Sequence, residues 1–223
     1  GTSPDATRAT ELAQAFSNGD DRMRFYRQIF AANSLLEKRV APATAFKLAR
    51  EAVSGVDDGL SIASPSAPIM SSELYANRVS AIAADRYVIV PDVPKQTLSA
   101  IARGRIEEVA GWSLLEQGNY AEAVTRLRRA VSILPDKSAW WRSSHWRLGT
   151  ALAGDGKDKE ALEAYVKAYT ASEPDASKYA VIETVFKRLN GGTEGLEALF
   201  GADPSKPVEK VANIPSPVPP ETK

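Results

Sequence analysis

The sequence contains no cysteine and a single histidine, His145. Without cysteine the chain cannot form a disulfide, use a thiol nucleophile or bind a metal through thiolates. One histidine excludes most histidine-based metal sites and catalytic triads. We therefore expect neither a bound metal nor a cofactor.

Long apolar runs and an excess of one charge are also absent. The 223 residues include 28 Lys and Arg against 28 Asp and Glu, whereas a nucleic-acid binder needs a basic excess. The longest apolar stretches, such as residues 87–90, are far shorter than the ~20 residues that span a bilayer. We expect neither a nucleic-acid partner nor a membrane span.

The two ends of the sequence differ in kind. The chain begins Gly1-Thr2-Ser3 without a signal-peptide pattern, and a signal peptide removed earlier would leave such a start. We expect an exported or periplasmic location over a cytoplasmic one. Residues 201–223 contain six prolines, which interrupt a helix, so we expect an extended tail or linker there. It would be a spacer to a further segment, a frayed end or a ligand for a proline-reading domain.

Helical periodicity dominates residues 1–95, which we expect to form an N-terminal helical region, either degenerate repeats or a cap. The segment 20–39 predicts one helix. Its apolar face contains Met23, Tyr26, Ile29, Phe30 and Leu36.

Several local signals divide the rest of this region. Pro42 fits the first turn of a helix, and Gly55 is expected to end it. Residues 55–70 are rich in Gly, Ser and Pro and predict a loop. Ser72 is a plausible N-cap for a further helix, and residues 87–90 predict a short strand. The inward positions expected in that helix are Leu74, Tyr75, Val79 and Ile82.

Residues 101–135 and 139–174 resemble each other at a fixed offset of 38 residues. The matching pairs are Gly111 and Gly149, Gly118 and Gly156, Ala123 and Ala161, Val124 and Leu162, Leu127 and Tyr165, and Ala130 and Ala168. Such self-similarity predicts two supersecondary units, each a helix, a glycine turn and a second helix. The small residues at 111, 123, 149 and 161 would let the two helices of a unit approach closely.

This pattern resembles the tetratricopeptide repeat, whose signature is W-x-x-L-G-x-x-Y, a glycine turn, A-x-x-x-F, then Ala and Pro. The stretch LEQGNYAEAVTRLRRAVSILP is a close match. The second copy departs further, with Pro174 one residue late. The Trp position holds Glu107 in one copy and His145 in the other, and about four extra residues lie around 136–141.

The resemblance implies an all-α fold, an α-α superhelix of helix-turn-helix repeats. The repeats would lie within residues 96–200, and the flanks must complete the core, because two units rarely suffice. Residues 177–200 predict a capping helical pair with a turn at 190–192. Its apolar positions are Tyr179, Ile182, Val185, Phe186, Leu189, Leu196 and Leu199.

In this family, partners bind the concave face, which the first helix of each unit lines. The resemblance implies that partner contacts come from Arg105, Glu108, Val109, Trp112, Leu115 and Glu116, and from Ser143, Trp146, Arg147 and Thr150. A clamp for a C-terminal carboxylate is not supported, because Trp112 and Thr150 occupy positions that require Asn. Trp and Arg are typical of binding hot spots, but Trp112 and Trp146 would equally fit packing against a neighbouring helix.

Aromatic and basic residues also concentrate in residues 140–147. Trp beside Arg indicates cation–π stacking, which could hold a sugar ring or an aromatic peptide side chain. Alternatively, Trp140 or Trp141 fills the gap left by the longer inter-repeat segment. We expect His145 to be a packed histidine rather than a general base.

No nucleophile–base pair, phosphate loop or metal-ligand spacing is present in the sequence. We therefore predict a non-catalytic scaffold that binds a protein or peptide. The alternative is an accessory helical repeat domain of a larger bacterial protein that carries a catalytic domain, for example a thioredoxin-like one, beyond the Pro-rich linker. The sequence leaves the partner's identity and the oligomeric state open.

Overall fold

The structure is a computed structural model that describes residues 4–61, 65–73 and 93–200. All regular structure in these ranges is helical, without a strand, which confirms the all-α prediction. None of the described helices combines the length and the apolar character needed to cross a membrane. The predictions for residues 74–82, the strand 87–90 and the tail 201–223 lie outside the described residues.

Nine α-helices have both ends within the described residues. They are α1 (Pro4–Ser17), α2 (Arg24–Glu37), α3 (Pro42–Ala52), α4 (Val56–Gly59), α5 (Lys95–Glu116), α6 (Tyr120–Ile133), α7 (Ala139–Gly154), α8 (Asp158–Thr170) and α9 (Ala176–Asn190). Two 3₁₀ turns, Val53–Gly55 and Leu196–Leu199, follow α3 and α9. Residues 66–73 are also helical.

The helices pack as consecutive pairs. The pairs α2/α3, α5/α6 and α7/α8 each form a helical hairpin, and the second helix of a pair packs against the first helix of the next element. The first helices α2, α5 and α7 also contact one another in that order. Helix α1 packs on α2 at one end of this series, and α9 packs on α8 at the other.

Glycine turns join the two helices of the α5/α6 and α7/α8 hairpins. Gly118 and Gly156 each adopt a φ of 75°, a left-handed conformation that favours glycine. Helix α3 begins with Pro42 in its first turn, as predicted. The Asp175 side chain caps α9 by accepting hydrogen bonds from the Ser177 and Lys178 backbone amides.

The two helices of each hairpin touch where the sequence has small residues, which confirms the predicted close approach. A Cβ atom built on Gly111 would lie 2.6 Å from Leu127 Cγ, and one on Gly149 would lie 2.7 Å from Tyr165 Cδ1. Ala123 and Ala161 are completely buried. The contact pairs 111–127 and 149–165 are related by the same offset of 38 residues.

A further glycine contact joins the hairpins and was not predicted. A Cβ atom on Gly154, at the end of α7, would lie 2.6 Å from the Tyr120 ring at the start of α6. This contact fixes how closely α7 can lie against the preceding hairpin.

The N-terminal region differs from its predicted pattern. Phe30 is 55% exposed and its ring lies 5.8 Å from the Phe16 ring, whereas Phe25, which the predicted stripe omitted, is 1% exposed. The Phe25 ring fills the space beside Gly59, because the chain returns across α2 at that point. The loop predicted at 55–70 is wrong over Val56–Gly59 and residues 66–70, which are helical. Ser72 lies inside helical residues rather than before them, so it is not an N-cap.

The C-terminal pair largely follows its prediction. Ile182, Val185 and Phe186 on α9 and Leu196 in the second 3₁₀ turn are buried against the α7/α8 hairpin. Leu189 and Leu199, by contrast, are 41% and 38% exposed, so the prediction that they face inward is wrong.

His145 is a buried residue of α7. It is 7% exposed, and its ring lies 4.1 Å from that of Trp141, edge to face. Its Nδ1 has no hydrogen-bond partner among the described residues. Burial, assisted by Lys167, lowers the pKa of His145 from 6.5 to about 4, and Asp136 opposes the shift. His145 is therefore a packed neutral histidine.

Overpacking the hairpin contacts should destabilise the fold. We expect Ala123→Leu and Ala161→Leu each to lower the free energy of unfolding by about 1–3 kcal/mol, because no space exists for the larger side chain. Urea titration measures the loss, with Ala121→Leu on the exposed side of α6 as the control. Equal stability of all three variants and the wild type would contradict the packing described.

Stability should also fall in mild acid because of His145. The folded pKa lies below the unfolded one, so the unfolded chain binds the proton first as the pH falls from about 6.5 to about 4. We expect a loss on the order of 1–3 kcal/mol across this window, part of it screened by solvent. Urea titrations at several pH values measure how the free energy of unfolding changes with pH. This pH dependence should be weaker for His145→Phe, since no other histidine is present. An unchanged pH dependence would contradict the buried neutral state.

Candidate binding face

The first helices of two neighbouring hairpins place most of the predicted partner-binding residues side by side. Helix α5 carries Arg105, Glu108, Trp112 and Glu116, and α7 carries Ser143, Trp146, Arg147 and Thr150. Spacings of three and four residues put each set along one side of its helix. Because α5 and α7 are in contact, the two sets meet across the junction between the hairpins.

The Glu108 carboxylate is the centre of this face. It is 1% exposed and accepts hydrogen bonds from Arg147 Nη1 at 2.5 Å and Ser143 Oγ at 2.5 Å. Its other oxygen accepts from Arg105 Nη1. One buried anion therefore joins an arginine of its own helix to an arginine and a serine of the next hairpin.

Tryptophan rings lie against both arginines. The Arg147 guanidinium carbon is 3.6 Å from the centroid of the Trp112 ring, and that of Arg105 is 5.1 Å from the Trp140 ring. The Trp112 Nε1–H donates to Glu116 Oε1 at 3.0 Å. Planar guanidinium groups stack well on indole, so the rings hold the arginines in place as the carboxylate does.

The charge state of Arg147 follows from its surroundings. Burial lowers the pKa of its guanidinium, and the adjacent Glu108 carboxylate opposes that shift. Arginine nevertheless stays protonated at neutral pH, because the ordinary pKa of a guanidinium lies far above neutrality. Two guanidinium groups thus share the Glu108 carboxylate, and Glu37 also favours the charged form of Arg147.

Trp146 and Thr150 form a second group on α7. The Trp146 ring lies 4.6 Å from the Tyr165 ring, and Tyr165 donates its hydroxyl proton to Thr150 Oγ1 at 3.1 Å. Burial raises the pKa of the Tyr165 hydroxyl, which therefore remains a donor. Trp146 is half-buried, and the Lys178 ammonium of α9 lies 5.8 Å from its ring centroid.

The exposure of the predicted residues varies widely. Val109 is completely buried and Glu108 nearly so, so neither can touch a partner directly, because both point between α5 and its neighbours. Trp112, Arg105 and Arg147 are partly exposed, and Glu116 and Thr150 are exposed. Trp140 and Trp141 pack against the hydrophobic core that includes Leu98, Ile101 and Leu134, in agreement with the gap-filling alternative.

Sequence reasoning missed Lys178. It belongs to α9, and its approach to Trp146 depends on how α9 packs against the preceding hairpin rather than on any repeat position. The pairing of Thr150 with Tyr165 was missed too. That pair stands fifteen residues apart in sequence, and only the hairpin geometry brings it together.

The described residues hold no group of three or more His, Asp or Glu side chains arranged to bind a metal ion. His145, the one histidine, is buried between helices rather than facing an opening. What the face offers is hydrogen-bond donors, positive charge and indole surface, which suit recognition.

Removing the Glu108 charge should be costly. We expect Glu108→Gln to lower the free energy of unfolding by about 3–5 kcal/mol, because two partly buried guanidinium groups would lose their counterion. Urea titration measures the effect. Glu116→Gln is the matched control, since its exposed side chain still accepts from Trp112. Similar small losses for both variants would contradict the role of Glu108.

Comparison of the chain with protein-family models, with curated proteins and with solved structures gives no significant match.

Proposed function

We propose that the chain is a non-catalytic scaffold of the tetratricopeptide-repeat type, which binds a protein or peptide on the face formed by α5 and α7. The observation that carries this proposal is the fixed array of cations and indole rings at the α5/α7 junction. It lies where the resemblance implies partner contacts.

The recurrence of the hairpin contacts supports the repeat assignment. Gly111 against Leu127 and Gly149 against Tyr165 are equivalent positions, and the second helix of each hairpin packs on the helix that follows. The α2/α3 hairpin stacks in the same order, although its sequence lacks the repeat's Gly and Ala spacing. We therefore assign α2/α3 as a third, degenerate unit, which meets the usual minimum for a continuous core.

Preorganisation supports the binding role. A side chain that is already held by neighbours loses little conformational entropy when a partner contacts it. Arg105 and Arg147 are held by Glu108 and by indole rings, and both keep part of their surface open to solvent. Trp146 adds a half-buried aromatic ring of the kind that dominates binding energy in many interfaces.

A pair of truncations separates binding from packing at Trp146. We expect Tyr165→Ala to cost about 3–5 kcal/mol of stability, because that side chain is 3% exposed and fills the contact with Gly149. Trp146→Ala should cost clearly less, because its ring is only half-buried. Thermal melts and urea titrations measure both, and equal large losses would identify Trp146 as a core residue.

The binding role itself is tested by selecting a displayed library of random peptides against the full chain. We expect enriched peptides that bind the wild type and bind Trp146→Ala more weakly by about 2 kcal/mol or more. Phe30→Ala, which removes an exposed aromatic ring from α2, is the control and should bind as the wild type does. Failure to enrich any peptide, or equal binding by a folded Trp146→Ala variant, would contradict the proposed function.

A further inference from the structure

A cavity of about 230 Å³ opens beside the α5/α7 junction, between α7, the end of α8 and the first turns of α9. Its charged lining residues are Arg142, Arg147 and Lys178, and the half-buried Trp146 also lines it. None of the described residues that line this cavity is acidic. A broader cavity of about 810 Å³ adjoins it and shares Arg142, Ser172 and Lys178.

The cations around these cavities are only partly neutralised. Arg147 shares Glu108 with Arg105, as described above. Lys178 lies 3.6 Å from Asp175, whose carboxylate also accepts from the backbone amides at the start of α9. That carboxylate is therefore divided between the helix terminus and the lysine.

Arg142 has no ion-pair partner within the described part of the chain. Its Nη1 donates to the carbonyl oxygen of Lys137 at 2.5 Å, which orients the guanidinium without neutralising it. Lys137 itself lines the broader cavity, where Glu173 and Asp175 are the acidic residues. Four cations line the two cavities, Lys137, Arg142, Arg147 and Lys178, against the two carboxylates Glu173 and Asp175.

Positive charge lies beside an aromatic surface here. The Trp146 ring packs against the Tyr165 ring, with 4.6 Å between the ring centroids, and the Lys178 ammonium lies 5.8 Å from the centroid of the Trp146 ring. A ligand that fits must bring negative charge to Arg142 and Lys178 and an apolar group to the indole ring. An acidic peptide segment with interspersed apolar side chains has both properties, and its carboxylates match the planar guanidinium donors.

We propose that the Arg142–Trp146–Lys178 cavity binds an acidic segment of a partner protein, with at least two carboxylates flanking an apolar side chain. This inference rests on the proposed function, because it names the chemistry of the partner. Arg142 and Lys178 contact the carboxylates, and Trp146 packs against the apolar group. Glu108 acts indirectly, by positioning Arg147 at the edge of the cavity.

The test uses the full chain and a short fluorescein-labelled peptide in which Glu and Asp alternate with Leu and Phe. A twin peptide carries Gln and Asn in place of the acids. We expect fluorescence anisotropy to show at least about tenfold tighter binding of the acidic peptide, weakening as salt is raised. Arg142→Glu and Lys178→Glu should each weaken that binding about tenfold or more.

Lys159→Glu is the matched charge control. It makes the same change of two charge units in the exposed first turn of α8, outside both cavities. It should bind the acidic peptide nearly as the wild type does. Circular dichroism melts establish that Arg142→Glu and Lys178→Glu remain folded, and either variant alone suffices if the other does not fold.

Three results would overturn the inference. They are equal binding of the two peptides, equal weakening by Lys159→Glu and Arg142→Glu, and equally tight binding of a single-stranded oligonucleotide of the same charge. If library selection still enriches peptides that depend on Trp146 but these are not acidic, the cavity inference fails and the scaffold function stands. If selection enriches no peptide, both the cavity inference and the proposed function fail.

Discussion

The ion pair network at Glu108 ties the two best-defined hairpins together. A carboxylate that is almost completely buried costs several kcal/mol of desolvation unless it is fully paired. Glu108 meets that requirement with donors from both sides of the junction, Arg105 on α5 and Ser143 and Arg147 on α7. Hydrophobic contacts alone would tolerate small shifts of one hairpin along the other. A directional network tolerates few, so the positions of Arg147 and of the cavity beside it depend on this one anion.

The interaction between hairpins also explains why cations outnumber carboxylates at the cavities beside α7 although the chain carries no net charge. Some acidic groups pair inside the fold, as Glu108 does, or between the two helices of one hairpin, where Glu107 of α5 lies 3.2 Å from Arg126 of α6. Arg142, at the cavity between α7 and α9, instead donates to a backbone carbonyl oxygen, which leaves its charge in place. A neutral composition therefore does not imply a neutral face, and the local excess depends on which partners the packing brings together.

Much of the helical fold could be predicted from the sequence, for reasons that are local. Gly118 and Gly156 mark turns because their φ is positive, and the offset of 38 residues repeats the contacts of Gly111 and Gly149. Periodicity failed in the N-terminal region, where Phe25 and Phe30 are equally apolar. Only the return of the chain at Gly59 decides which of them is buried.

The candidate site could be predicted only in part. Positions along α5 and α7 follow from the repeat, but the burial of Glu108 and the arrival of Lys178 depend on contacts between elements distant in sequence. Repeat spacing says which residues share a helix face. Repeat spacing does not show which side chains form hydrogen bonds with one another. Such bonds depend on the exact distance between two helices, because a hydrogen bond forms only over a narrow range of distances.

The Tyr120–Gly154 contact has a consequence for how such an array can grow. Shifting it by 38 residues places Asp158 at the tyrosine position, and Asp158 instead forms a bidentate pair with Arg188 of α9 at 2.5 Å. The position equivalent to Gly154 in the preceding hairpin is Glu116, whose side chain would collide with a ring packed there. The two junctions therefore use different contacts. An aromatic ring packs on a glycine between α6 and α7, and an ion pair joins α8 to α9. A tandem copy of the α5/α6 hairpin would set Tyr120 against Glu116 instead of Gly154, so the order of the units matters at this junction.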